Sequence, residues 1–161
     1  MDNKVSSLLN DQVTKEFDSA YVYLAMAAYF ESKGLSGMAS WMQVQYGEEM
    51  KHGMKFFGYL NARGIKVSLG ALPKPVADFG SVREVFEKSL AHEKLITASI
   101  NKIYETAMEV NDHATTTFLQ WFISEQVEEE KTAKDILVKL DQINDSSMGL
   151  IFLDKELGSR K

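Results

Sequence analysis

Five residues of this chain have the types and spacing to hold a pair of metal ions: Glu16, Glu49, His52, Glu93 and Glu129. Four carboxylates and one imidazole are hard-to-borderline donors, a set that suits iron or manganese. Their four negative charges would balance two divalent ions, and Glu49 is central enough to bridge them. The spacing is regular. Glu16 and His52 are equidistant from residue 34, and Glu93 and Glu129 are equidistant from residue 111. Glu16 with Glu49-x-x-His52 is echoed 77 residues later by Glu93 with Gln126-x-x-Glu129.

Long helices must position these groups. Helical periodicity covers about 4–33, 37–63, 82–110 and 114–143, with a short fifth helix at about 147–157. Gly34 and Gly64 stop the first two, Ser81 and Glu84 form a capping-box pattern before the third, and Asp112 caps the fourth. Each long helix carries an apolar stripe broken near its middle. The first reads Leu9, Gln12, Glu16, Ala20, Tyr23, Ala27, Phe30, and the second Met38, Trp41, Gln45, Glu49, His52, Phe56, Tyr59. On the third, Glu93 falls between Leu90 and Ile96; on the fourth, Gln126 and Glu129 fall between Phe122 and Ala133. Steps of three and four keep each set on one face. In isolation any one of these glutamates reads best as a solvated or salt-bridged residue. Four stripes broken at one depth read as a metal site, because an unpaired buried carboxylate is very costly and no Lys or Arg lies in the central part of the stripes.

Short turns make antiparallel hairpins of helices one and two and of helices three and four. The sixteen residues 65–80, with Pro73 and Pro75, join the hairpins. Extended, they reach roughly 50 Å, while a helix of the second one's length spans about 40 Å. The connection can therefore run the length of the bundle and make helices two and three parallel, the class of bundle with one long crossover. One domain, 1–161, is expected from the length.

Bulk composition narrows the function. The absence of cysteine excludes disulfides, thiolate metal sites, iron–sulfur clusters and cysteine nucleophiles. A net charge of −5 argues against nucleic acid or an anionic membrane as a partner. The longest apolar run, residues 20–30, is too short to span a bilayer, and Met1-Asp2-Asn3-Lys4 lacks the features of a signal peptide. The expected location is the cytoplasm.

Over nearly its whole length the chain resembles the bacterial and archaeal non-haem ferritins. The resemblance is carried by Asn10-Asp11-Gln12, Tyr21-Val22-Tyr23-Leu24, Glu48-Glu49-Met50-Lys51-His52, Phe118-Leu119-Gln120-Trp121, the run Ser124 to Glu130, and Phe152-Leu153-Asp154-Lys155-Glu156-Leu157. It implies an all-α, ferritin-like four-helix bundle with a fifth C-terminal helix. It further implies a 24-subunit hollow homo-oligomer that oxidises Fe(II) with O2 or H2O2, a ferroxidase, and stores ferric mineral. Two irons per subunit are implied, one held by Glu16, Glu49 and His52, the other by Glu49, Glu93 and Glu129 with Gln126 nearby. Tyr23 resembles the family's tyrosine beside the site, a candidate electron donor, and Trp121 another family position near it. Glu48, Glu125 and Glu128 match a third iron site toward the cage interior; from their pattern alone they read as a solvated acidic face.

Alternatives from other classes stay open at this point. Met50 stands where bacterioferritins carry a haem-binding methionine, but the Gln126-x-x-Glu129 pattern resembles the non-haem proteins, so haem is not expected. A rubrerythrin-type peroxidase usually carries a cysteine-rich iron domain. DNA-protecting mini-ferritins place the iron site between subunits and lack a fifth helix. A metal-buffering helical scaffold is the non-enzymatic alternative. His92 is expected at the surface, His113 as a solvated or channel residue, and Ile151, Phe152 and Leu157 as residues that only neighbouring subunits can bury. The fifth helix is thus expected to serve assembly and not catalysis.

Overall fold

The computed structural model describes residues 1–144 and 146–160. Its helices are α1 (Asn3–Ser32), α2 (Ser36–Ala62), α3 (Val82–Glu109), α4 (His113–Ile143) and α5 (Ser147–Leu157), and the described residues contain no strand. Polar side chains satisfy the free amides where helices begin. Asp2 accepts from Lys4 and Val5 at the start of α1, Asp112 from Thr115 at α4, and Ser146 from Gly149 at α5. At α3, Ser81 accepts from the Glu84 amide at 3.1 Å. Glu84 reaches back to the Gly80 amide at 2.7 Å, one residue earlier than a standard capping box. Gly34 (φ +73°) and Gly64 (φ +70°) end α1 and α2 in the left-handed region, and each is followed by an amide returning to a carbonyl of the last turn.

Contacts between helix ends fix the topology. Phe86, early in α3, packs on Phe30 at the end of α1 and on Trp41 at the start of α2. Tyr59, late in α2, stacks on Phe118, early in α4, with centroids 3.9 Å apart. α3 is therefore antiparallel to α1 and parallel to α2, as a long crossover requires. The crossover is tied to α1 as it climbs. The Ser68 amide donates to Asn10, the Gly70 amide to Thr14, and Phe79 packs edge-on against Tyr29.

The core has two apolar halves. One gathers Phe30, Met38, Trp41, Met42, Phe86 and Leu140, and the other gathers Val5, Leu9, Phe56, Leu60, Ile103 and Phe122. Between them lies a belt of buried polar side chains.

α5 docks against the start of α2. Asp154 accepts from the backbone amides of Gly37 (3.2 Å) and Met38 (2.8 Å), capping α2 from a distant helix where Leu35 offers no side-chain cap. A Cβ on Gly37 would sit 1.8 Å from the Asp154 carbonyl oxygen, so only glycine permits this approach. Leu153 and Leu157 join the apolar half formed by Phe30 and Trp41. The expectation that Leu157 needs a neighbouring subunit is corrected, because the α2 start and the α4 end bury it within this chain. Met148, Ile151 and Phe152 are more than 60% exposed.

Candidate metal centre

Facing positions of four helices build the polar belt. α1 contributes Gln12, Glu16, Ser19 and Tyr23; α2 contributes Gln45, Glu49 and His52; α3 contributes Ser89 and Glu93; α4 contributes Gln126 and Glu129. Glu16, Glu49 and Glu93 are each 1% exposed, His52 4% and Glu129 6%, so water cannot compensate four carboxylates there. Glu16, Glu49 and His52 each offer a donor atom within 4.8 Å of the others, and His52 Nδ1 lies 3.3 Å from Glu49 Oε2. Glu16 Oε2 and both carboxylate oxygens of Glu49 are buried with no hydrogen-bond partner. Buried oxygens without partners, beside an imidazole nitrogen, make a donor set aimed at a cation.

Hydrogen bonds from outside fix how these carboxylates stand. Gln12 Nε2 donates to Glu16 Oε1 at 2.8 Å. Its Oε1 accepts from Ser99, which accepts in turn from Lys15. Gln45 Nε2 donates to Glu129 Oε2 at 2.9 Å. The Tyr23 hydroxyl donates to Glu93 and lies 3.1 Å from the Ser89 hydroxyl. Gln126 Nε2 donates to the Glu93 carboxylate (3.0 Å) and its backbone carbonyl (3.2 Å), with Thr97 also in range. One oxygen each of Glu16 and Glu129 and both oxygens of Glu93 are thus held from outside, and Glu49, with neither oxygen held, is left to the centre.

Electrostatics record the strain of this arrangement. Burial lifts the Glu16 carboxyl well above its ordinary 4.5, and the charge of Glu49 lifts it further. Burial and then Glu93 do the same to Glu49. Burial raises Glu93, against hydrogen bonds from Tyr23 and Gln126 that pull it back. Glu129 is raised from 4.5 to about 7 by burial and by Glu93. Burial, with Glu93 and Glu49 adding to it, keeps the Tyr23 phenol protonated and a donor. Without cations, burial favours the protonated forms of these carboxyls; bound cations would displace the protons.

The belt therefore brings together Glu16, Tyr23, Glu49, His52, Glu93, Gln126 and Glu129. It does not gather Glu48, Glu125 and Glu128 into a compact donor group; each has a basic neighbour instead. Glu48 pairs with Arg160 at 2.7 Å, Glu125 lies in the field of Lys55, and Glu128 in that of Lys131. Trp121 is 41% exposed and sits edge-on to His52 with centroids 5.4 Å apart, while Lys55 covers its ring. Two expectations are corrected. His92 is half-buried and not fully solvated: it bonds Ser19 at 2.7 Å and packs edge-on against Tyr23 in the α1–α3 seam. The stripes do lack a central cation, but one arrives from elsewhere, since the Arg160 guanidinium reaches Gln45 and Glu48 from beyond α5. Gln12 and Gln45 interrupt their stripes beside the glutamates, the signal that could have marked them. Ser89, Thr97, Ser99 and Arg160 give no such signal. Met50 lies on the outer α1–α2 face, lining a cleft with Tyr21, Leu24, Tyr46 and Leu72.

Comparisons with known proteins agree with this geometry. The family described as Ferritin, a ferritin-like domain, matches residues 6–143. A probable bacterial non-heme ferritin-like protein of Haemophilus influenzae is 40% identical over 159 residues, covering 99% of this chain and 96% of the relative. A bacterial non-heme ferritin of Staphylococcus aureus is 40% identical over 152 residues, covering 94% and 92%. Among solved structures, the open pore ferritin of the hyperthermophilic archaeon Archaeoglobus fulgidus superposes with a TM-score of 0.98 at 44% identity, covering 100% of this chain and 99% of that one.

Proposed function

The chain belongs to the ferritin family, and from that premise we propose that it oxidises Fe(II) at an intrasubunit di-iron centre and stores the ferric product inside a homo-oligomeric cage. Iron storage is the function that its non-haem relatives support. The observation that carries the oxidation step is the group of buried oxygens without partners, on Glu16 and Glu49 beside His52. In this reading Glu16, Glu49 and His52 hold one substrate ion, and Glu49, Glu93 and Glu129 hold the other. Gln126 orients Glu93 and stays close to the second ion.

Two Fe(II) ions sharing Glu49 can each release one electron to the same O2. With two protons this yields two Fe(III) and one H2O2, and no superoxide. Burial favours the protonated form of these carboxyls, so metal binding displaces protons inside the site. With H2O2 as oxidant, the same two electrons and two protons give two waters. Tyr23, hydrogen-bonded to Glu93, is a candidate electron donor by resemblance to the family. Glu48, Glu125 and Glu128 are candidates for a third iron station, by resemblance to the family.

Met148, Ile151 and Phe152 supply the apolar surface of α5 for subunit contacts. A cage of 24 subunits follows from the family resemblance, as does a cytoplasmic location; among the described residues no helix is long and apolar enough to cross a membrane. An oxygen electrode and size-exclusion chromatography test the whole reading. It predicts one O2 consumed per two Fe(II) in the first addition, and iron co-eluting with a cage-sized species. Oxidation no faster than in buffer, or iron eluting apart from the protein, would overturn it. Measurable oxidation with no retained iron would favour the non-storage alternatives, a di-iron peroxidase among them.

A further inference from the structure

We propose that Arg160, from the segment after α5, is a positioning residue for the second iron: it locks the amide of Gln45 so that Gln45 holds Glu129 ready to bind metal. This rests on the di-iron reading given above. The Arg160 guanidinium makes a fork. One nitrogen donates to Gln45 Oε1 and the other to Glu48 Oε2 at 2.7 Å, while its Cζ lies over the Trp41 ring, 4.8 Å from the centroid. Gln45 is fully buried, and its other end, Nε2, donates to Glu129 Oε2 at 2.9 Å.

An isolated glutamine amide can turn over, exchanging its nitrogen for its oxygen. Turned over, Gln45 would aim a carbonyl oxygen at the Glu129 carboxylate and repel it. A guanidinium has donors only, so the oxygen of Gln45 must face Arg160 and its nitrogen must face Glu129. A planar fork on a rigid aromatic face performs this at little entropic cost.

The first iron has a comparable support inside the bundle: Lys15, Ser99 and Gln12 leading to Glu16. The support for the second comes from 115 residues away in sequence. It is held there by α5: Asp154 caps α2 at Gly37 and Met38, and Gly158 lies so close that a Cβ on it would be 2.9 Å from the Gly37 Cα. α5 therefore helps to shape the metal centre, which modifies the expectation that it serves assembly alone.

Titration of the assembled, metal-free protein with Co(II) tests this. Co(II) does not turn over, so binding is read from its d–d absorption and from calorimetry independently of oxidation. In Arg160→Ala, affinity for the second ion should fall about 10-fold to 100-fold, the usual effect of removing a support behind a metal ligand. The first ion should bind within about twofold of wild type, because Glu16, Glu49 and His52 keep their own contacts. Gln45→Met, which leaves Arg160 and the tail unaltered in sequence, should reproduce the loss, and the double variant should be no worse than Gln45→Met alone. Arg160→Lys, which has one nitrogen in place of a fork, should recover part of the affinity.

Unchanged second-site affinity in Arg160→Ala overturns the proposal, as does an equal loss at both sites. So does an additive double variant, which would mean Arg160 does not act through Gln45. A wild-type protein that takes up no pair of Co(II) ions would instead defeat the di-iron reading itself.

Discussion

Removing all metal should make the folded state lose stability as the pH rises, the reverse of the usual behaviour of carboxylates in proteins. Glu129 gives the scale. At low pH its carboxyl is protonated whether the chain is folded or unfolded. Above its ordinary 4.5 the unfolded chain releases the proton, while the folded chain keeps it to about 7. Across that interval the folded state loses about 3 kcal/mol from this group, at roughly 1.4 kcal/mol per pH unit, and the loss stays constant above it. Glu16, Glu49 and Glu93 are raised for the same reason and act in the same direction. His92 acts oppositely: burial lowers it from 6.5, so below that pH its contribution grows as pH rises. The Glu129→Gln variant keeps His92, so comparing wild type with it isolates the Glu129 window, pH 4.5 to 7.

For a chain of this size, 3 kcal/mol corresponds to about 6–12 °C in the unfolding midpoint. The assay is thermal unfolding of chelator-treated wild type and Glu129→Gln in steps from pH 4.5 to 8.5, repeated with saturating Zn(II). The metal-free wild-type midpoint should fall relative to that of Glu129→Gln through this window, and Zn(II) should abolish the fall, because bound cations hold the carboxylates ionised. A metal-free wild-type midpoint that does not fall relative to Glu129→Gln between pH 4.5 and 7 would refute the reasoning, since it would mean that burial does not strain Glu129.

Tyr23→Phe leaves Glu93 and Ser89 each without one buried partner and should cost about 1–2 kcal/mol in metal-free unfolding, while Co(II) titration still finds two ions per subunit. Asp154→Ala removes the remote cap of α2 and should cost about 1 kcal/mol, with faster hydrogen exchange at the Gly37 and Met38 amides as its local signature. Ile151→Ser with Phe152→Ser should lower the sedimentation coefficient by dissociating the assembly, yet leave the helical circular dichroism of the bundle intact.

The bundle and most of its centre were legible because both obey helical periodicity. A glutamate that interrupts an apolar stripe marks its own burial, and equal distances from Gly34 and from Asn111 place partners opposite each other. Gln126 was legible as a neighbour of the site, but its bond to Glu93 depends on side-chain packing that spacing does not encode. Arg160 was not legible at all. Its place is set by the fit of Gly158 on Gly37 and by the Asp154 cap, which are contacts between residues over 100 positions apart. His92 was misjudged because a quarter-turn from the stripe still falls in the α1–α3 seam, where Ser19 and Tyr23 enclose it. Leu157 was misjudged because a short helix docked on a helix start buries more of itself than its length suggests.

The shared role of Glu49 is the central claim, and anaerobic Fe(II) titration of wild type and Glu49→Ala, followed by Mössbauer spectroscopy of the bound iron, tests it most directly. Two Fe(II) per subunit in the wild type, and the loss of both from Glu49→Ala, is the result that follows from one buried carboxylate with neither oxygen held by the protein. A variant that still binds two, or one that loses only a single ion while the other keeps its wild-type affinity, would contradict it.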